Sequence, residues 1–97
     1  MEPMNLPDEL VGGWIVDPTG RLVGDEVEQL IWEAVRNHFT RVGERDSGWI
    51  TLYQDSSNGS HWELTFPQSE MHGGGPAKLT RIAAENIPQL YPTLKPL

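Results

Sequence analysis

Trp49-Ile50-Thr51-Leu52-Tyr53-Gln54-Asp55 and Ser60-His61-Trp62-Glu63-Leu64-Thr65-Phe66 flank Ser56-Ser57-Asn58-Gly59. Both flanks are rich in aromatic and β-branched residues, and Asn-Gly between such runs is a strong short-range hairpin signal. Whether the loop holds two residues or four, the pairing keeps the same parity. Side chains alternate along a strand, so Trp49, Thr51 and Tyr53 share a face with Trp62, Leu64 and Phe66. Four aromatics on one face predict core, because such rings bury large areas.

The covering element is expected on the N-terminal side. Val27, Leu30, Ile31, Ala34, Val35, His38 and Val42 recur at helical spacing, which predicts an amphipathic helix over residues 25–42. Asp25 with Glu28 makes a variant capping box, and Gly43 is placed to end the helix in a left-handed conformation. His38 then falls within the apolar stripe, as a hydrogen-bonded core histidine. Upstream, Gly12-Gly13-Trp14-Ile15-Val16 and Arg21-Leu22-Val23 read as two short strands around Asp17-Pro18-Thr19-Gly20, whose residue types suit a type I turn. Downstream, residues 43–48 read as a polar link, 67–76 as a loop, 77–82 as one more strand and 83–87 as a helical turn stopped by Pro88. The expected class is α+β: a small antiparallel sheet with the helix on one face, in a ββαβββ-like order. Residues 1–9 read as a flexible lead-in, 10–87 as one domain and 88–97 as a proline-rich extended tail.

Length and composition narrow the function. A chain of 97 residues has room for one domain. Seven Lys plus Arg against fourteen Asp plus Glu give a net charge of −7, so nucleic acid is not the expected direct ligand. Residues 1–33 hold eight of the acids and one base, Arg21, so the excess lies in the first third. The absence of cysteine removes disulfides, thiol chemistry and Cys-based zinc sites. No run approaches the length of a membrane-spanning helix, and the opening residues lack the features of a secretory signal; a cytoplasmic location is the expectation.

Candidate chemistry is sparse. His61 and His72 have no partners at metal-ligand spacing, so no metal and no other cofactor is expected. Ser69, Glu70 and His72 precede Gly73-Gly74-Gly75-Pro76, a loop that would support a small ligand-binding or enzymatic site. Three residues so close together do not converge as a catalytic triad does, and the glycines are not followed by the Lys-Ser or Lys-Thr of a phosphate loop. No catalytic residue is assigned. Asn58-Gly59-Ser60 formally matches a glycosylation acceptor but reads as a turn. On a helical wheel, Glu26, Gln29 and Glu33 lie away from the apolar stripe, where they can meet a basic partner or simply be solvated.

Gly12-Gly13-Trp14, Gly48-Trp49, Leu52-Tyr53, Trp62-Glu63, Pro67, Ser69-Glu70 and His72-Gly73-Gly74-Gly75-Pro76, in this order and spacing, resemble immunity-protein family 27 of bacterial polymorphic toxin systems. The resemblance runs from about Leu10 to Ile87 and departs from the pattern at Ser56 and Phe66. It implies a protein that binds a cognate toxin domain and blocks it, without catalysis. It further implies scaffold roles for Trp14, Trp49, Tyr53, Trp62, Pro67, Gly73, Gly74, Gly75 and Pro76. The candidate toxin contacts are Glu26, Gln29 and Glu33 on the helix and Glu70 and His72 in the loop. Because nucleases are basic, the acidic charge favours a nuclease as the toxin. The alternatives are the Ser69-Glu70-His72 ligand site or a purely structural interaction module; oligomeric state is not readable.

Overall fold

The computed structural model describes residues 6–69 and 75–92. The central hairpin forms as its parity requires. Strands β5 (Ile50–Asp55) and β6 (His61–Thr65) are antiparallel, with Tyr53 opposite Trp62 and Thr51 opposite Leu64. The turn is held by Asp55: its carbonyl accepts from Gly59 N at 2.8 Å, and its buried carboxylate accepts from the Ser57 backbone N–H at 2.8 Å and hydroxyl at 2.6 Å.

The fold is α+β. A five-stranded antiparallel sheet has the order β1-β7-β6-β5-β4, with β1 at Glu9–Val11, β4 at Phe39–Arg45 and β7 at Lys78–Ile82. Helix α1 (Glu26–Asn37) covers one face, and the chain ends in a 3-10 turn, Ala84–Asn86, followed by the short helix α2 (Ile87–Leu90). Strands β2 (Trp14–Val16) and β3 (Leu22–Gly24) pair with each other as a separate ribbon and do not join the main sheet as expected. Their turn is the anticipated one, with Gly20 N donating to Asp17 O at 2.9 Å.

The core lies between α1 and the sheet. Ile31 and Ala34 pack against it from the helix, and Leu10, Leu79 and Leu64 are consecutive partners across β1, β7 and β6 on the same face. Trp62 is buried there, stacked on Phe39 with ring centroids 6.0 Å apart. Such an aromatic pair adds about 0.5–1.5 kcal/mol to the area it buries.

The helix is shorter than its periodicity implies. It stops at Asn37, and His38 is a half-buried C-cap whose N–H bonds Ala34 O at 2.9 Å, so it is not a core side chain. Phe39-Thr40-Arg41-Val42, aromatic and β-branched, suit a strand, and as β4 they supply the second neighbour that β5 needs. Val42 is the extra residue of a bulge between the Arg41 and Gly43 pairings, which explains why a helix-like spacing ran on into a strand. Gly43 therefore sits in β4 and not at a helix end.

Three further expectations change. Trp49 precedes the ladder and is 58% exposed, since Asp46, Ser47 and Gly48 adopt left-handed φ of 56°, 56° and 90° and turn the chain before β5 begins. Phe39 takes the vacated place in the aromatic cluster, 6.1 Å from Tyr53. Asp8 and Glu9 are not loose: Arg81 N donates to Asp8 O at 2.8 Å, and Glu9 pairs with Thr80. Pro88 to Leu90 are helical and not extended, because proline is tolerated in the first turn of a helix, and they deliver Tyr91 to the far face of the sheet, where it is buried.

Candidate partner-binding surface

The start of α1 is organised by two carboxylates with different tasks. Asp25 accepts from Glu28 N at 2.8 Å, which caps the helix, while its own N–H donates to Gly13 O at 2.8 Å. Glu28 does not complete a reciprocal box. Its buried carboxylate instead accepts from Trp32 Nε1 at 2.8 Å and from Ala77 N at 2.9 and 3.1 Å. The Gly12-Gly13 pair has a steric cause: a Cβ at Gly12 would strike Glu28 Oε2 and come within 2.9 Å of Ala77 O, and one at Gly13 would lie 2.6 Å from Asp25 Oδ2. Gly24, 2.7 Å from Glu28 Cγ by the same measure, completes the space.

On the far face of the sheet, Glu63 is buried and accepts from Arg45 Nε at 2.8 Å, Arg45 Nη2 at 3.0 Å and the Tyr91 hydroxyl at 2.5 Å. Burial pushes the Glu63 carboxyl up, but the bonds from Arg45 and Tyr91 outweigh it and hold the group below the ordinary carboxylate range. The bond to Glu63 raises the Arg45 guanidinium, and burial followed by the same carboxylate raises the Tyr91 phenol. This network ties the C-terminal segment to the sheet through Tyr91.

The exposed helix side meets a groove. Gln29 and Glu33 line a cleft of about 530 Å³ between α1 and the β2–β3 ribbon, with Trp14, Trp32, Arg36 and Phe66 in its walls. The Gln29 amide donates to Gly24 O at 3.0 Å, joining helix and ribbon across it. Glu26 is exposed on the first turn of α1, outside the groove walls. Phe66 packs on Trp32 at 6.2 Å and also borders a second groove, of about 410 Å³, that contains Asp46, Trp49, Ser69 and Lys78.

The other sequence candidates divide. Glu70, His72, Gly73 and Gly74 lie outside the described residues. Gly75 has φ of 77° and a Cβ there would run into the Gln68 backbone, so glycine is a backbone requirement; Pro76 beside it is buried. Tyr53 and Trp62 belong to the packed face, Pro67 is exposed, and Trp14 is half-buried in the groove. Among the described residues, no three His, Asp or Glu side chains are grouped to hold a metal ion, and no helix is long and apolar enough to cross a membrane. His61 is lowered by burial, and Ser69 is exposed at the rim of the second groove.

Sequence reasoning missed Glu28 as a buried anchor and the Arg45–Glu63–Tyr91 network. The first had a visible signal in the capping spacing from Asp25; the second joins residues far apart in the chain and had none.

Residues 17–83 match the model of the family immunity protein 27, and the chain belongs to that family. Neither curated proteins nor solved structures yielded a significant match.

Proposed function

We propose that this chain neutralises a bacterial toxin by binding the toxin domain and covering its working surface, acting in the cytoplasm of the cell that makes both. Membership of an immunity family over residues 17–83 carries this reading. The fold suits it: the helix and sheet form a packed scaffold in which, among the described residues, no buried side-chain polar atom lacks a hydrogen-bond partner. No turnover is required of any residue.

The contact is assigned to the exposed side of α1, through Glu26, Gln29 and Glu33, together with Glu70 and His72. A carboxylate-rich side that meets a basic partner raises the encounter rate, which matters when each free toxin molecule acts repeatedly. The net charge of −7 favours a nuclease, whose own surface is basic. Affinity capture with the tagged chain, washed at low and high salt, tests the reading. Recovery of one toxin domain at near-equal stoichiometry, with restored growth when both are co-expressed, is the expected result. A toxin encoded alongside that is expressed but never retained, and never relieved, would overturn it.

A further inference from the structure

The β2–β3 ribbon exposes apolar side chains that the core does not use. Val16 is 67% exposed and Leu22 59% exposed, and they are register partners. Trp14 and Gly24, the next pair on the same face, are walls of the groove beside α1. The face of the ribbon therefore runs from the groove wall at Trp14 and Gly24 to an exposed apolar end at Val16 and Leu22.

The ribbon is built to hold its shape while uncovered. Two isolated strands are marginal in water. Here Asp17 Oδ1 accepts from Thr19 N at 2.8 Å, Thr19 Oγ1 at 2.6 Å and Arg21 N at 3.0 Å, and Asp17 N donates to Arg21 O at 2.8 Å. At the base, Gln29 and Asp25 tie the strands to α1. A rigid protruding element loses little conformational freedom on binding, which favours affinity.

Charge identifies the occupant. Across residues 14–37 there are five acids against Arg21 and Arg36. Asp17, Asp25 and Glu28 accept hydrogen bonds from neutral groups, Glu33 shares the groove wall with Arg36, and Glu26 is exposed on α1 outside the groove, so the segment carries a formal net charge of −3. An exposed apolar end on a net negative segment fits a partner segment with an apolar anchor and flanking Lys or Arg.

Resting on the immunity reading above, we propose that the Trp14–Val16–Leu22 face of the ribbon, continuous with the α1 groove, is the docking surface for a basic segment of the toxin domain. The apolar anchor of that segment lies across Val16 and Leu22, and its basic side chains face the net negative charge of residues 14–37. Ile15, 52% exposed on the opposite face of the ribbon, takes no part.

The test uses the full chain and the toxin domain encoded beside it, with association and dissociation followed by surface plasmon resonance. Val16→Ser with Leu22→Ser is expected to raise the dissociation rate about tenfold or more, as loss of an interface centre does. Ile15→Ser should leave it unchanged. Both variants alter exposed side chains, and an unchanged circular dichroism spectrum and melting midpoint would establish folding. Hydrogen exchange on the complex should show protection over residues 14–24 and 29–36. Wild-type kinetics in the Val16/Leu22 variant, or protection confined to residues 46–50 around Trp49, would overturn this docking site while leaving the immunity reading intact. A wild-type chain that binds no toxin would overturn both.

Discussion

Glu28 Oε2 accepts the backbone N–H of Ala77 at 2.9 Å, joining the first turn of α1 to the residue that enters β7. The bond spans 49 positions of sequence. It makes one carboxylate responsible for seating the helix, for the Trp32 indole and for the glycines at 12 and 24, whose missing side chains leave it room.

Glu28→Ala removes the acceptor of buried donors, at a cost of about 2–4 kcal/mol from one charged hydrogen-bonding centre and the donors it leaves unmet. Glu28→Gln keeps an oxygen of similar reach and should cost less. Gly12→Ala is expected to destabilise the chain by forcing Glu28 from its place, and part of that cost should vanish in the Glu28→Ala background. Urea unfolding of the single and double variants reads this coupling. Strict additivity would separate Gly12 from Glu28.

Acid should weaken the far face. The folded-state pKa of Glu63 is depressed, so its contribution is fully present above the unfolded carboxylate value of about 4.3 and is lost as pH falls through the folded one. Tyr91→Phe removes the 2.5 Å hydrogen bond and should narrow this loss, at a cost of about 1–3 kcal/mol near neutrality for a bond to a charged group. Melting midpoints from pH 7 down to pH 3 decide the matter. An acid limb unchanged by Tyr91→Phe would show that the tyrosine does not help hold Glu63 ionised.

The hairpin and its shared face were legible because side chains alternate with a period of two and an even loop of either length keeps the parity; Tyr53 opposite Trp62 needs the four-residue loop, and local residue types suit both lengths. The helix was legible in its first turns, where Asp25 caps and the apolar stripe agrees with it. Its end was not. Val35, His38 and Val42 fit a helical period, yet Phe39 onwards is a strand, because the ladder to β5 and a bulge at Val42 outweigh local spacing. Of the candidate contacts, Gln29 and Glu33 come together on one groove, as their four-residue separation requires, and Glu26 stands apart from it. The exposed pair Val16 and Leu22 carried no mark in the sequence, for apolar residues in a strand read equally as core.

Asp17 sets the turn of the ribbon without touching the core. Its carboxyl lies below the ordinary range because the Thr19 hydroxyl, followed by the Arg21 backbone N–H, donates to the ionised form. Asp17→Ala should therefore leave the global melting midpoint nearly unchanged and speed amide exchange over residues 15–23. A global loss of stability instead would mean that the ribbon folds as part of the core unit.

Glu26 and Glu33 point outwards on α1 and engage in no hydrogen bond or ion pair among the described residues, so reversing them to Lys adds two cations where a basic toxin approaches. The long-range part of the attraction acts on encounter and is screened within about 8–10 Å at physiological salt. The double reversal should therefore slow association and flatten its dependence on ionic strength, with a smaller change in dissociation. Stopped-flow association at low and physiological salt separates the two rates. Equal association rates for the variant and the wild type at low salt would remove the acidic side of the helix from the encounter, whatever the equilibrium affinity.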